Sequence, residues 1–277
     1  MNVSVVIPVR DRDWSIKRAL YSVDNQSLRP SEVIVVDDGS ADHTEAVVRA
    51  YPGVRYVRNR RTSGPAGARN TGIDEASGDC IAFLDSDDTW YERHLEGSVR
   101  HIEKHGLHSC YSLWSRIRGD STEYYPDEWL DILINDLQLS VDGILILLGT
   151  HIAEYMILKP FWCFHIDTLV AKRSALVNCG MFDESLSTSE DMELSFRLLL
   201  GGPSGLQRCA SAVYREGQDN LVALSRRDFV NEYIHRQNTA MAFRKIARIM
   251  ELSDKIEDKA VCRALLGRKI AENEILH

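Results

Sequence analysis

The sequence predicts an α/β protein: a mainly parallel sheet with helices on both faces, followed by a C-terminal helical extension. Three observations predict it. Short β-branched runs alternate with helical spacing over the first 115 residues, acidic clusters follow directly on several of those runs, and the last fifty residues carry helical periodicity.

The runs Val3–Ile7, Glu32–Val36, Val54–Val57 and Cys80–Leu84 read as buried strands. Between the first two, Ile16, Ala19, Leu20 and Val23 fall at helical spacing, and after the fourth run Tyr91, Leu95, Val99 and Ile102 form a similar stripe. Strand and helix alternating at this interval require right-handed crossovers, hence a parallel sheet. Residues 120 to 165 are irregular and aromatic-rich and read as a variable insertion over the site. A helix follows from about Glu190, with Met192, Phe196 and Leu199 as its stripe, and stops at Gly201-Gly202. From about Arg227 two amphipathic helices are expected, the first lined by Phe229, Tyr233, Met241 and Ile246. The division is therefore a main domain over residues 1–226, in halves 1–115 and 116–226, and an extension over 227–277.

A chain of 277 residues with 44% hydrophobic content can bury a full core without staples. Its net charge of -8 argues against nucleic acid as a partner, because polyanion binders carry surplus Lys and Arg. Six cysteines lack any Cys-x-x-Cys pair, which suits free thiols in a reducing compartment. The first apolar run is cut by Pro8, and Ile144–Leu148 falls far short of the ~20 residues of a spanning helix. A cytoplasmic protein is the expectation, peripheral at the inner membrane face if the C-terminal helices touch lipid.

The strongest chemical signal is Phe83-Leu84-Asp85-Ser86-Asp87-Asp88, an apolar strand ending in three carboxylates. Carboxylate oxygens suit Mg²⁺ or Mn²⁺, and few protein ligands leave room for phosphate oxygens. A solvated acidic turn that caps a helix is the competing reading. In Val36-Asp37-Asp38-Gly39-Ser40, Gly39 permits a tight turn while both acids can accept from ribose hydroxyls or a base N–H; a plain strand-turn-helix junction fits equally. Gly64-Pro65-Ala66-Gly67-Ala68-Arg69 leads into a helix whose Arg69 faces a phosphate, a base or solvent. Glu190-Asp191 is either a catalytic pair or two acids favoured by a helix N-terminus. His101, His105 and His108 read as surface histidines rather than zinc ligands.

In order and spacing, Val5-Val6-Ile7-Pro8-Val9-Arg10-Asp11-Arg12, Asp37-Asp38-Gly39-Ser40, Ala68-Arg69-Asn70-Thr71-Gly72 and Leu84-Asp85-Ser86-Asp87-Asp88 resemble glycosyltransferase family 2, with the GT-A fold. The likeness is strong over residues 1 to about 100 and moderate over 165 to 215. It implies an inverting, metal-dependent transfer from a nucleotide diphosphate sugar, UDP foremost, to a hydroxyl or amine. Pro8, Asp11, Asp37, Asp38, Gly39 and Arg69 would surround base and ribose, with Asp85 and Ser86 near ribose and diphosphate. Asp87 would be the main ligand of Mn²⁺ or Mg²⁺. Gly180-Met181-Phe182-Asp183-Glu184 and Ser189-Glu190-Asp191 look like the acceptor-side signature, which makes Asp191 the catalytic base with Glu190 beside it. Relatives place a metal-approaching His where this chain has Gly217, so Arg215, Gln218 or Asp219 are the substitutes at hand.

The acceptor class stays open among glycan, lipid-linked sugar, small molecule and peptide, and the C-terminal helices suit homo-oligomer or membrane contact. Trp129 and Trp162 are candidate sugar-stacking residues or core aromatics. A nucleotidyltransferase would carry a Gly-rich basic loop where Pro8-Val9-Arg10-Asp11 stands, and a dinucleotide-binding dehydrogenase would need Gly-x-Gly-x-x-Gly there. A non-catalytic nucleotide-sugar-binding protein is the remaining alternative, disfavoured by the presence of both Asp87 and Asp191.

Overall fold

The computed structural model describes residues 1–118, 121–124, 128–149, 151–158, 164–215, 229–254, 256 and 259–274. The four expected strands are present as β1 (Val3–Val9), β2 (Glu32–Asp37), β3 (Val54–Arg58) and β4 (Cys80–Phe83). They lie in the order β3-β2-β1-β4 and all pair in parallel. The connecting helices are α1 (Ile16–Asp24), α2 (Thr44–Arg49) and α3 (Pro65–Glu75).

Alternation along the strands sends side chains to two separate cores. Val5, Ile7 and Val9 pack with Ile16, Leu20 and Val23 of α1 on one face, while Val6, Ile34 and Phe83 pack with Ala68 and Ile73 of α3 on the other. Gly72 sets how closely α3 approaches: a Cβ there would lie 2.2 Å from Cγ1 of Val6. The expected helix after β4 is α4 (His94–His105), which starts three residues later than its stripe suggested. Leu95, Val99 and Ile102 are buried, but Tyr91 lies in the preceding turn and is exposed.

Beyond α4 the sheet becomes mixed. β6 (Ser109–Arg118) and β11 (Ser204–Arg215) pair in parallel, and β10 (Val170–Lys172) joins β4 to β6 by antiparallel ladders. Short strands β5 (Thr89–Trp90) and β7 (Ser121–Tyr124) pair with β11 and β6. The region read as an insertion over the site is instead built into the scaffold. Strands β8 (Val141–Asp142) and β9 (Leu145–Leu148) extend the sheet edge, and Leu130 and Leu133 of α5 (Glu128–Leu137) with Ile152 of α6 (His151–Leu158) enter the core. Trp129's side chain and Trp162 lie outside what the structure describes.

Helices α7 (Arg173–Asn178) and α8 (Glu190–Gly201) complete the second half, α8 with the expected bounds. The extension consists of α9 (Phe229–Leu252) and α10 (Lys259–Glu274). Its buried stripe shares Ile246 with the expected one but runs through Asn238, Ala242, Ile246 and Met250, four residues apart, whereas Tyr233 is exposed and the side chain of Phe229 lies outside the described residues. Ile246 and Met250 of α9 and Cys262 and Leu266 of α10 share a core cluster with Leu194 and Phe196 of α8. Cys80, Cys110 and Cys179 are free thiols. Among the described residues, no helix is long and apolar enough to cross a membrane.

Candidate active site

Asp11, Asp37 and Asp85 all stand at the carboxyl ends of parallel strands, where sheets of this kind bind ligands. Asp11 adopts a left-handed backbone (φ 52°), and its Oδ1 accepts from the Ala41 amide at 2.7 Å. Asp37 is buried and heavily engaged. Its Oδ1 accepts from the amide and hydroxyl of Ser40 at 2.9 and 2.5 Å, and its Oδ2 from the Tyr56 hydroxyl at 2.5 Å. Burial, then this bond to Asp37, pushes the Tyr56 pKa up to about 12. Gly39 makes the turn with φ +85°. Pro8 lies half-buried in β1, paired with Val36.

Asp38 turns toward the chain itself: it accepts from Asn59 at 2.6 Å, Ser63 at 3.0 Å and the Gly64 amide at 2.7 Å, fixing the entry to α3. That entry is also tied to the second half. The Glu184 carboxylate accepts from Arg61, the Thr62 amide and Asn70 at 2.8, 3.1 and 2.9 Å, while Asn70 exchanges two bonds with the Phe182 backbone. Burial alone would raise the Glu184 pKa, but the bonds from Asn70, Thr62 and Arg61 outweigh it and hold it at about 2.

Arg69 is not a surface charge. Its guanidinium is 4% exposed and bridges the halves, donating to Glu190 Oε1 at 2.6 Å and Asp85 Oδ1 at 2.7 Å. Burial works against its charge, but Asp85 and Glu190 prevail and raise its pKa. Glu190 is pushed up to about 7 by burial, against the attraction of Arg69. Asp191, one residue on in the first turn of α8, is half-exposed and accepts from the Met192 amide at 2.8 Å. Of the acidic pair, then, Glu190 is buried against Arg69 and Asp191 is the more exposed.

On the β4 loop, Ser86 is buried and Asp85 half-exposed. Asp87 stands 3.8 Å from Arg12 Nε, and burial followed by the charge of Asp85 pushes its pKa up to about 6. Carboxylates crowded to this degree are relieved by a cation, and their oxygens suit Mg²⁺ or Mn²⁺, so Asp87 and Asp85 fit the expected metal. Two residues that sequence reasoning passed over, His165 and Asp167, join this loop and meet Asp88, which it read only as part of the acidic motif. Asp167, fully buried in the 3₁₀ turn Ile166–Thr168, accepts from the Asp85 amide at 2.7 Å, and its carbonyl accepts from Trp90 Nε1 at 2.7 Å. His165 precedes it, and Asp88 accepts from the Arg215 amide at 2.6 Å. Burial and the neighbouring carboxylates raise the pKa of both Asp88 and Asp167. Nothing local marks His165 or Asp167: they lie about eighty residues from the loop they support and carry no periodicity.

Among the described residues, the one group placed to hold a metal ion by mutual proximity is Asp88, His165 and Asp167, and Asp87 is not part of it. His101, expected at the surface, is buried and stacks at 6.2 Å on His105. Gly217, Gln218 and Asp219 lie outside the described residues, and of the substitutes proposed for that point Arg215 reaches the loop through its backbone amide.

Comparisons with known proteins bear on the family and the fold. The family model described as "Glycosyl transferase family 2" matches residues 4–163, and the chain belongs to that family. Among curated relatives, it is 31% identical over 73% of its length to the pre-mycofactocin glycosyltransferase of Mycobacterium tuberculosis. It is 31% identical over 71% of its length to the amylovoran biosynthesis glycosyltransferase AmsB of Erwinia amylovora. It is 34% identical over 43% of its length to an Escherichia coli UDP-Glc:alpha-D-GlcNAc-diphosphoundecaprenol beta-1,3-glucosyltransferase. The match takes up 40%, 64% and 48% of those proteins in turn. The crystal structure of S. aureus TarS 1–349 in complex with UDP-GlcNAc superposes with a TM-score of 0.72 at 20% identity, covering 98% of this chain and 72% of that one. At that identity the likeness establishes the shared GT-A fold.

Proposed function

We propose that the protein is an inverting, metal-dependent glycosyltransferase that uses a UDP-sugar as donor. The observation that carries this reading is the buried chain Asp85–Arg69–Glu190, which joins the acidic loop after β4 to the helix turn bearing Asp191. Donor-side carboxylates and an open carboxylate on the opposite element then face one reaction centre.

In this reading Asp11, Asp37 and the turn at Gly39 shape the base and ribose pocket, with Pro8 on its floor. Asp37 Oδ1 already accepts two bonds, which leaves a lone pair on Oδ2 for the donor. Arg69 and Asp38 act as organisers of the pocket rather than direct contacts. A Mn²⁺ or Mg²⁺ ion held at Asp87, with Asp85 and Ser86 beside it, supplies charge neutralisation for the departing diphosphate when bound. Asp191 takes the proton of the acceptor hydroxyl or amine as its oxygen or nitrogen bonds to the anomeric carbon. The glycosyl–phosphate bond breaks on the opposite side, the nucleotide diphosphate leaves with the electron pair, and the configuration inverts in a single displacement.

The division at about residue 226 belongs to the proposal, with 227–277 an extension packed on the acceptor half. The Escherichia coli relative's name specifies a lipid-linked acceptor, which supports a polyprenyl-linked or glycan acceptor and a place at the cytoplasmic membrane face. The test is a thermal-shift screen of UDP, GDP, TDP and their sugars with Mn²⁺, followed by release of nucleotide diphosphate without acceptor. Selective stabilisation by one UDP-sugar and slow Mn²⁺-dependent UDP release are expected. No response to any nucleotide sugar would overturn the reading, and binding without release would make the chain a binding protein.

A further inference from the structure

We infer that Asp88, His165 and Asp167 form a second divalent-cation site, separate from Asp87 and independent of nucleotide. One ligand atom from each lies within 4.8 Å of the other two. Around an ion with ligands about 2.1 Å away, adjacent ligand atoms stand roughly 3 Å apart and opposite ones about 4.2 Å, so a spread of at most 4.8 Å closes on one ion with a contraction of roughly half an ångström.

The state of Asp167 is the independent sign of a ligand. Its carboxylate is fully buried, and Oδ2 has no hydrogen-bond partner. That oxygen points into the cluster, 3.5 Å from His165 Nδ1. A buried carboxylate oxygen with nothing to satisfy it costs a desolvation penalty that a cation removes. The other oxygens are already held in place. Asp167 Oδ1 accepts from the Asp85 amide and Asp88 Oδ1 from the Arg215 amide, the outer-shell bonding that fixes metal-ligating carboxylates. Trp114 and Tyr214 lie with ring centres 5.3 and 5.4 Å from the imidazole, forming an apolar wall on that side.

Two carboxylates and one imidazole favour a first-row transition ion over Ca²⁺ or Mg²⁺, which prefer all-oxygen ligation, and Mn²⁺ is the member of that series whose unpaired electrons report a ligating nitrogen. Through the amides of Asp85 and Arg215, such an ion would fasten the β4 loop to β11 and to the 3₁₀ turn before any donor arrives. The competing account of the same geometry is a proton shared by Asp88 and Asp167, with no metal.

The experiment is electron paramagnetic resonance of Mn²⁺ added to the nucleotide-free protein, with pulsed detection of nitrogen coupling. One bound Mn²⁺ showing imidazole-nitrogen modulation is expected. It should persist in Asp87→Asn, whereas in His165→Gln the nitrogen modulation should vanish and affinity fall tenfold or more. Asp167→Asn, which preserves shape, should also lose affinity and covers the case in which His165→Gln fails to fold. Absence of Mn²⁺ binding without nucleotide, binding without nitrogen coupling, or coupling that survives His165→Gln would overturn the inference. Loss of UDP-dependent Mn²⁺ binding in Asp87→Asn reports on the donor site instead, so the two claims fail separately.

Discussion

Arg69, Glu190 and Asp191 show how one residue step along a helix separates a buried ion pair from an open carboxylate. Glu190 points inward to a guanidinium that is itself 4% exposed, and Asp191 turns outward. Asp191→Asn keeps size and most hydrogen bonds but removes the proton acceptor. Donor binding should survive while transfer falls by a factor on the order of 10² to 10⁴, measured as kcat with the donor Kd determined separately. Glu190→Gln should behave differently, losing stability as a buried ion pair is broken. If Asp191→Asn transferred normally and Glu190→Gln lost transfer at unchanged stability, the roles would be reversed.

At the scale of elements, the joint between the two halves runs through the loop before α3 and the segment Phe182–Glu184. Glu184 bonds to Arg61, Thr62 and Asn70, and its pKa is held at about 2 against an ordinary 4.5. For a carboxylate with a depressed folded pKa, the stabilisation is complete above the unfolded pKa and is lost as pH falls through the folded one. Glu184→Gln should therefore cost roughly 2 to 3 kcal/mol at pH 7, with the gap to the parent narrowing between about pH 4.5 and pH 2. Urea melts at pH 7 and pH 3 read this directly. A constant gap across that range would mean that packing, not the charge, holds the joint.

For the whole molecule, the decisive feature is where the extension packs. Ile246, Met250, Cys262 and Leu266 lie in the same core as Leu194 and Phe196 of α8. Each such side chain contributes about 1.5 to 3 kcal/mol when fully buried, against a total stability of roughly 5 to 15 kcal/mol for a folded domain. Deleting residues 227–277 should lower the melting temperature by more than about 10 °C or yield aggregated protein, read by calorimetry and light scattering. A soluble deletion with unchanged melting and activity would mark the extension as a separate association element.

By itself the sequence determined the parallel strands β1 to β4, the bounds of α8 and the acidic clusters at the strand ends, because period-2 and period-3.6 patterns and strand-end carboxylates are local signals. Through its ordered motifs it also identified the family. Only the tertiary structure decided that Arg69 is buried between Asp85 and Glu190, that Asp38 organises a loop, and that residues 141–148 add strands to the sheet edge. It alone brought His165 and Asp167 to Asp85 and Asp88. These depend on contacts between residues far apart in the chain, and burial and charge pairing across such distances leave no periodic trace in sequence.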